Sequence, residues 1–155
     1  MIEVSQLKEM ETFQGVSDEA LNFLADSLQK RTYSDKEPIF REGVPGGDLY
    51  LVAEGAVKIS KRAKEGEAQN LAAVPKGQYV GIMTFLAGGN HSADAVAQGN
   101  CALYVLDRRA FDKFVESFPR DAVKLMNLFI QELIGSLRSM NERYIDMVNY
   151  MGRWR

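Results

Sequence analysis

The sequence offers little from which to build a metal centre, a disulfide or a catalytic triad. It has one histidine, His91, which excludes a centre made of several histidines. It has one cysteine, Cys101, which excludes an internal disulfide and fits a reducing compartment. Positive charge is not in excess: 19 Lys and Arg stand against 21 Asp and Glu, a formal net charge of −2. That removes the electrostatic case for a general nucleic-acid binder. The N-terminus, MIEVSQLKEM, has no apolar signal core. The least charged stretch, Gly77 to Leu106, still holds Asp94, Gln78, Thr84, Asn90, His91 and several glycines. It reads as buried strands and loops and not as a membrane span of about 20 apolar residues. With no nucleophile arrangement around the lone histidine, the expectation is a non-enzymatic cytoplasmic protein without metal or cofactor. What is present is an ordinary globular balance, 46% hydrophobic and 26% charged over 155 residues. That is enough for one domain with a real core.

The chain reads as helices at both ends with short strands between. Ser17 precedes an acidic turn (Asp18, Glu19), and Leu21, Leu24 and Leu28 follow on one face. A serine hydroxyl can accept from an orphan backbone N–H, so Ser17 is predicted as an N-cap. From Arg31 to Leu106, glycines and prolines recur around the runs Pro38–Phe40, Leu49–Ala53, Ala56–Ile59, Leu71–Val74 and Ala102–Leu106. Short strands with frequent turns point to a barrel or roll. The alternation Val57-Lys58-Ile59-Ser60 predicts one solvated face, and Lys64-Glu65-Gly66-Glu67 reads as a hairpin tip. The basic run Lys58, Lys61, Arg62 and Lys64 is expected to be solvated, because Glu65 and Glu67 follow it. Cys101 is expected to be a buried, inert thiol. Three segments result: 1–30 helical, 31–107 β-rich and 108–155 helical.

In the last segment Phe111, Phe114 and Val115 suit a short helix ending near Pro119. From Arg120 to about Tyr150 there is no proline and a single glycine, Gly135. Met126, Ile130, Leu133, Leu137, Met140, Tyr144, Met147 and Met151 are spaced 4, 3, 4, 3, 4, 3, 4, a heptad seam. A helix of about 30 residues is roughly 45 Å long, more than a small domain needs. Its first half is expected to pack on the strands. Its second half is expected to project and to pair with a second copy through Ile130, Leu133, Leu137, Met140, Tyr144 and Met147; a helix lying along its own domain is the alternative. The sequence stops at Arg155, soon after this helix, which leaves no room in it for a DNA-binding domain. The Arg153-Trp154-Arg155 tail is expected to fray.

One segment is more specific than any composition: Ile39-Phe40-Arg41-Glu42-Gly43-Val44-Pro45-Gly46-Gly47-Asp48-Leu49-Tyr50-Leu51-Val52-Ala53-Glu54-Gly55-Ala56-Val57. Two strands flank a glycine-rich turn, with a second glycine turn expected at Gly55. This run resembles the cyclic nucleotide-binding domain family, and the likeness extends over about Phe13 to Leu137. The resemblance implies an eight-stranded β-roll with helices at both ends, mainly β in class. It also implies a ligand, cAMP or cGMP, and a phosphate-binding cassette: a short helix that offers backbone N–H groups to the cyclic phosphate, a Glu for the ribose 2′-hydroxyl and an Arg for the phosphate.

The matching segment runs Val80-Gly81-Ile82-Met83-Thr84-Phe85-Leu86-Ala87-Gly88-Gly89-Asn90-His91-Ser92-Ala93-Asp94. By the resemblance, Gly81, Ile82, Met83, His91, Ser92 and Ala93 are the candidate ligand contacts, with Ser136 on the long helix beside the base. The departures are as informative as the match. Ile82 stands where the family has Glu, His91 where it has Arg, and Asp94 adds a negative charge near the phosphate position. A hydrogen bond to a charged group contributes about 1.5–3 kcal/mol, and losing one partner of a buried charge pair costs about 2–5 kcal/mol. Together the two losses come to about 3.5–8 kcal/mol, not strictly additive, at about 1.4 kcal/mol per tenfold of affinity. His91 could replace the arginine only if protonated, and it lacks the two-pronged guanidinium geometry. Two functions therefore stand side by side. One is a sensor that binds a cyclic nucleotide or another small anion and signals through the long helix. The other is a dimerisation or docking scaffold that has lost its ligand, with Ile82 and Met83 as plugs of the pocket.

Overall fold

The computed structural model describes residues 2–62 and 67–152. The expected hairpin tip at 64–66, with Lys64 of the basic run, and the 153–155 tail lie outside the described residues. The chain opens with α1 (Val4–Lys8), a 3-10 turn (Glu11–Phe13) and α2 (Asp18–Ser27). Ser17 caps α2 as its sequence predicts, its hydroxyl accepting from the Ala20 N–H at 3.3 Å. Leu21 and Leu24 are buried along the expected face, while Leu28 has left the helix as its C-cap.

The strands are β1 (Gln29–Tyr33), β2 (Pro38–Phe40), β3 (Leu49–Arg62), β4 (Ala68–Pro75), β5 (Tyr79–Val80) and β6 (Asp94–Leu106). They form one antiparallel sheet in the order β1-β6-β3-β4, with β2 on β6 and β5 on β3. Two of the runs read as separate strands are one: Leu49–Ala53 and Ala56–Ile59 fuse into β3. Gly55 is therefore a bulge and not the expected turn. Its φ is +77°, and a Cβ there would come within 2.6 Å of the Asn100 carbonyl oxygen. Pairing with β6 slips on both sides of Glu54, which bends the ribbon and lets it serve both halves of the roll. Counting the long strands β3 and β6 as two segments each turns these six strands into the expected eight.

Ser60 departs from the alternation pattern. It is buried where a solvated position was expected. It pairs with Asp94, whose carboxylate accepts from the Glu42 N–H at 2.7 Å, so the chain at Glu42 covers that face. Cys101 is buried, and burial raises its thiol pKa, as an inert core cysteine requires.

Two apolar clusters hold the molecule. The larger joins Leu7 and Phe13, Leu24, Leu49 and Leu51, Phe85, Phe111 and Phe114, and Leu125 and Phe129, so helices from both ends share one core with the sheet. The smaller lies inside the roll around Val52, Val57, Ala95, Leu103 and Val105. The next helices are α3 (Ile82–Ala87), α4 (Arg108–Ser117) and α5 (Pro119–Gly152). Phe111 and Phe114 of α4 are buried and Val115 is not.

α5 has 34 residues, about 50 Å of helix. Its buried residues are Asp121, Ala122, Leu125 and Phe129, all in the first third. Beyond them Ile130, Leu137, Met140, Tyr144 and Met147 are exposed, while Leu133 packs at the edge of the large core. The second half does not simply project. Arg143 Nη1 donates to the Leu71 carbonyl of β4. Leu71 is the residue skipped where β4 slips against β3, which frees its carbonyl for that bond.

Candidate functional site

The cassette begins at Gly81, which follows β5 and is the N-cap of α3 at φ +85°. A side chain there would face left-handed backbone strain and a Cβ 3.1 Å from the Asp48 carbonyl oxygen, so glycine is the residue that fits. No side chain caps the first turn of α3. Gly88 and Gly89, both at positive φ, end the helix and turn the chain toward His91.

The glycine-rich turn of the Ile39–Val57 motif lies directly on this segment. Gly43 N–H donates to the His91 carbonyl at 2.8 Å, His91 N–H to the Val44 carbonyl at 2.9 Å, and Gly46 N–H to the Gly89 carbonyl at 3.0 Å. Pro45 and Asn90 form the bridge between these bonds. The turn and the cassette are thus zipped together, and the backbone N–H of His91 is already used.

His91 is buried. Its ring stacks on Phe40 with centroids 3.7 Å apart and planes 7° from parallel. Nδ1 lies 3.4 Å from Thr84 Oγ1, which also donates to the Gly81 carbonyl at 3.2 Å. Burial lowers the His91 pKa below its ordinary 6.5, and the Asp48 carboxylate opposes this only in part. Burial therefore favours the neutral form of the imidazole.

The other candidates scatter. Ile82 is 6% exposed and belongs to the large core with Phe85, which the helices share, and not to the cluster inside the roll. Met83 is 56% exposed, which corrects its expected role as a second plug: the one-residue step along α3 turns it to solvent. Ala93 is buried and Ser92 exposed. Asp94 is committed elsewhere, with one oxygen on the Glu42 N–H at 2.7 Å and the other 3.9 Å from Arg62 Nε. Ser136 is exposed on α5, one turn beyond Glu132. Sequence reasoning missed Phe40 and Thr84 as the partners of His91. Phe40 was visible as part of the motif, but nothing in the sequence tells which ring it stacks on.

Sequence comparison agrees with this architecture. The profile of the cyclic nucleotide-binding domain matches residues 30–118, and the chain belongs to that family. The cyclic AMP receptor protein of Thermus thermophilus is 32% identical over 121 residues, 78% of this chain and 56% of that protein. The human cGMP-dependent protein kinase 2 is 26% identical over 114 residues, 72% of this chain and 15% of the kinase. Among solved structures, a cyclic nucleotide-binding domain from Methylobacillus flagellatus superposes with a TM-score of 0.79 at 25% identity, covering 92% of this chain and 80% of that one. The chain spans little more than half the length of the bacterial regulators it matches. No helix among the described residues is long and apolar enough to cross a membrane.

Proposed function

We propose that this domain is a non-enzymatic, cytoplasmic regulatory module of its family that assembles as a homodimer through α5, and that its roll has given up the ionic grip on a cyclic phosphate. The observation that carries this reading is the state of His91. An ionic partner for phosphate at that position must be charged, and burial disfavours the charged ring. The Phe40 stack and the Thr84 contact keep it in the wall of the cassette. Ile82 offers no oxygen to a ribose hydroxyl and is spent in the core. The exposed seam Ile130, Leu137, Met140, Tyr144 and Met147 supplies the output surface, unbroken at heptad spacing from Leu137 to Met147.

A second reading has its own support. The first turn of α3 has no side-chain cap, which leaves its first amides without a capping partner that an anion could replace. A cyclic nucleotide, or another small anion, would then be held by Gly81, Ile82 and Met83 through the backbone, with Ser136 toward the base.

Titration calorimetry with cAMP and cGMP at pH 6 and pH 8 separates the two. No heat at either pH with millimolar nucleotide is the expected result. Binding at pH 6 that fades at pH 8 would overturn the proposal in favour of a protonated His91. Equal binding at both pH values would overturn it in favour of the α3 amides.

A further inference from the structure

The start of α4 carries charge of the wrong sign for a helix. The first turn favours anions, because the backbone dipole leaves partial positive charge there. α4 has no acidic residue in its first turn and opens on Arg108 and Arg109. Arg108 is compensated: its guanidinium donates to the Phe85 carbonyl at 2.7 Å and to Asp112 at 2.9 Å, and lies 5.6 Å from the centre of the Phe85 ring. Arg109 has no such relief. Lys113 follows four residues on, a like charge on the same face of the helix. Both are exposed, and neither is hydrogen-bonded or ion-paired among the described residues.

Arg109 and Lys113 line an open cleft of about 420 Å³ between α2 and α4. Phe23 and Ser27 of α2 form its other wall. Phe23 is half-buried and fixed in place, its ring centroid 5.9 Å from that of Phe114 and 5.6 Å from that of Phe118. Ser27 Oγ donates to the Phe23 carbonyl at 2.7 Å, which leaves its lone pairs free to accept. Asp107 also lines the cleft, but its carboxylate is spent as the N-cap of α4, accepting from the Ala110 N–H at 2.8 Å. Asp26 of α2 and Glu116 of α4 do not line it. The cleft therefore sets two unpaired cations beside an aromatic ring.

A cation in the first turn and a like charge four residues on each cost stability. α2 shows the ordinary arrangement in the same chain, with Ser17 as cap and Asp18 and Glu19 in its first turn. A break of local rules without a compensating contact is expected where a surface binds something.

We propose that the cleft between α2 and α4 is a docking site for an acidic segment of a partner protein, whose carboxylates pair with Arg109 and Lys113 and whose apolar side chain covers Phe23. Charge complementarity selects the occupant, since the two cations lack partners in a chain of net charge −2. The ring and the open shape favour a peptide over a small anion, which would leave Phe23 uncovered. The inference goes beyond the reading of the nucleotide site and does not rest on it.

Nitrogen-15 NMR of the full chain tests the site with the end-capped peptide Glu-Asp-Leu-Asp-Glu and its neutral counterpart Gln-Asn-Leu-Asn-Gln. The acidic peptide is expected to shift the amide signals of Phe23, Ser27 and residues 108–113, and the neutral one to leave them in place. Raising the salt from about 50 to about 500 mM should weaken binding several-fold, as screening of exposed charges requires. Arg109→Glu should weaken it about tenfold. The same change puts an anion in the first turn and opposite charges four residues apart, so Tm should rise by about 1–4 °C. A loss of stability instead would mean that the cations serve the fold, and would overturn the proposal. So would acidic-peptide shifts that are absent or lie away from the cleft, or an Arg109→Glu protein that binds as the wild type does. Inorganic phosphate that gives the same shifts at the same concentration and displaces the peptide would overturn it in favour of a small-anion site.

Discussion

Gly46 is the position at which the closed cassette can be probed with one methyl group. Its backbone lies outside the left-handed region, so the cost of a side chain there is one of space. An added Cβ would lie 2.5 Å from Thr84 Oγ1, 2.6 Å from Thr84 Cβ and 2.9 Å from His91 Cε1. None of these atoms is the free end of a flexible chain. Thr84 is β-branched, sits on α3 and is bonded to the Gly81 carbonyl. His91 is pinned flat on Phe40. Overpacking of this kind costs about 1–3 kcal/mol. Alanine also narrows the unfolded ensemble, which returns about 0.4–1 kcal/mol. The net expectation for Gly46→Ala is a loss of about 0.5–2.5 kcal/mol, or roughly 1–10 °C in Tm for a domain of this size. Urea unfolding followed by circular dichroism reads it as a lower midpoint at unchanged slope. Gly135→Ala is the control: nothing lies within 4 Å of the added Cβ on the exposed helix, and stability should rise by about 0.5–1 kcal/mol. A Gly46→Ala protein as stable as the wild type would mean that the turn does not rest on the cassette, and the locked His91 would fall with it.

Two further outcomes are expected. Asp121 joins α5 to the cap of α2, accepting from Ser17 Oγ at 2.7 Å and pairing with Lys124 Nζ at 2.8 Å, and these bonds hold its pKa below the ordinary value. Its contribution is present above about pH 4 and is lost as the pH falls through its depressed pKa. Asp121→Asn should therefore cost about 1–3 kcal/mol at neutral pH. The difference from wild type should close in acid, as Tm measured against pH will tell. For α5, replacing Leu137 and Met140 together by Lys places two charges on the exposed seam and should dissociate the dimer; an unchanged mass by light scattering would refute the seam.

Much of the fold was legible because its signals are local. Ser17 before Asp18 and Glu19 announced α2, and the spacing from Met126 to Met151 announced α5. What failed depended on pairing across the sheet. Gly55 looked like a turn because a glycine between two apolar runs usually is one. It became a bulge because the Asn100 backbone passes so close that only a missing Cβ lets β3 continue. Arg143 gave no hint of reaching β4, since its acceptor exists only where the register skips Leu71. Glu132 carried a faint signal, three residues after Phe129 on the same side of the helix, but its acceptor role needs the Tyr79 backbone from a distant strand.

The cassette shows the same limit more sharply. From the sequence, Ile82, His91 and Asp94 are three unrelated losses. In the structure they are three parts of one closed arrangement. Ile82 joins the large core beneath α3. His91 fills the wall between Phe40 and Thr84, with no room toward Gly46. Asp94 anchors the chain at Glu42, at the entry to the turn that covers His91. A guanidinium at position 91 could also lie flat on Phe40, so the stack alone does not explain histidine. Its length does, because an arginine in the same place would have to bury its charge under Gly46 or lift the turn. Three backbone hydrogen bonds and the Pro45–Asn90 bridge hold the turn against the cassette. On the function proposed above, the histidine is the residue that lets the turn lie on the cassette, and not a phosphate partner.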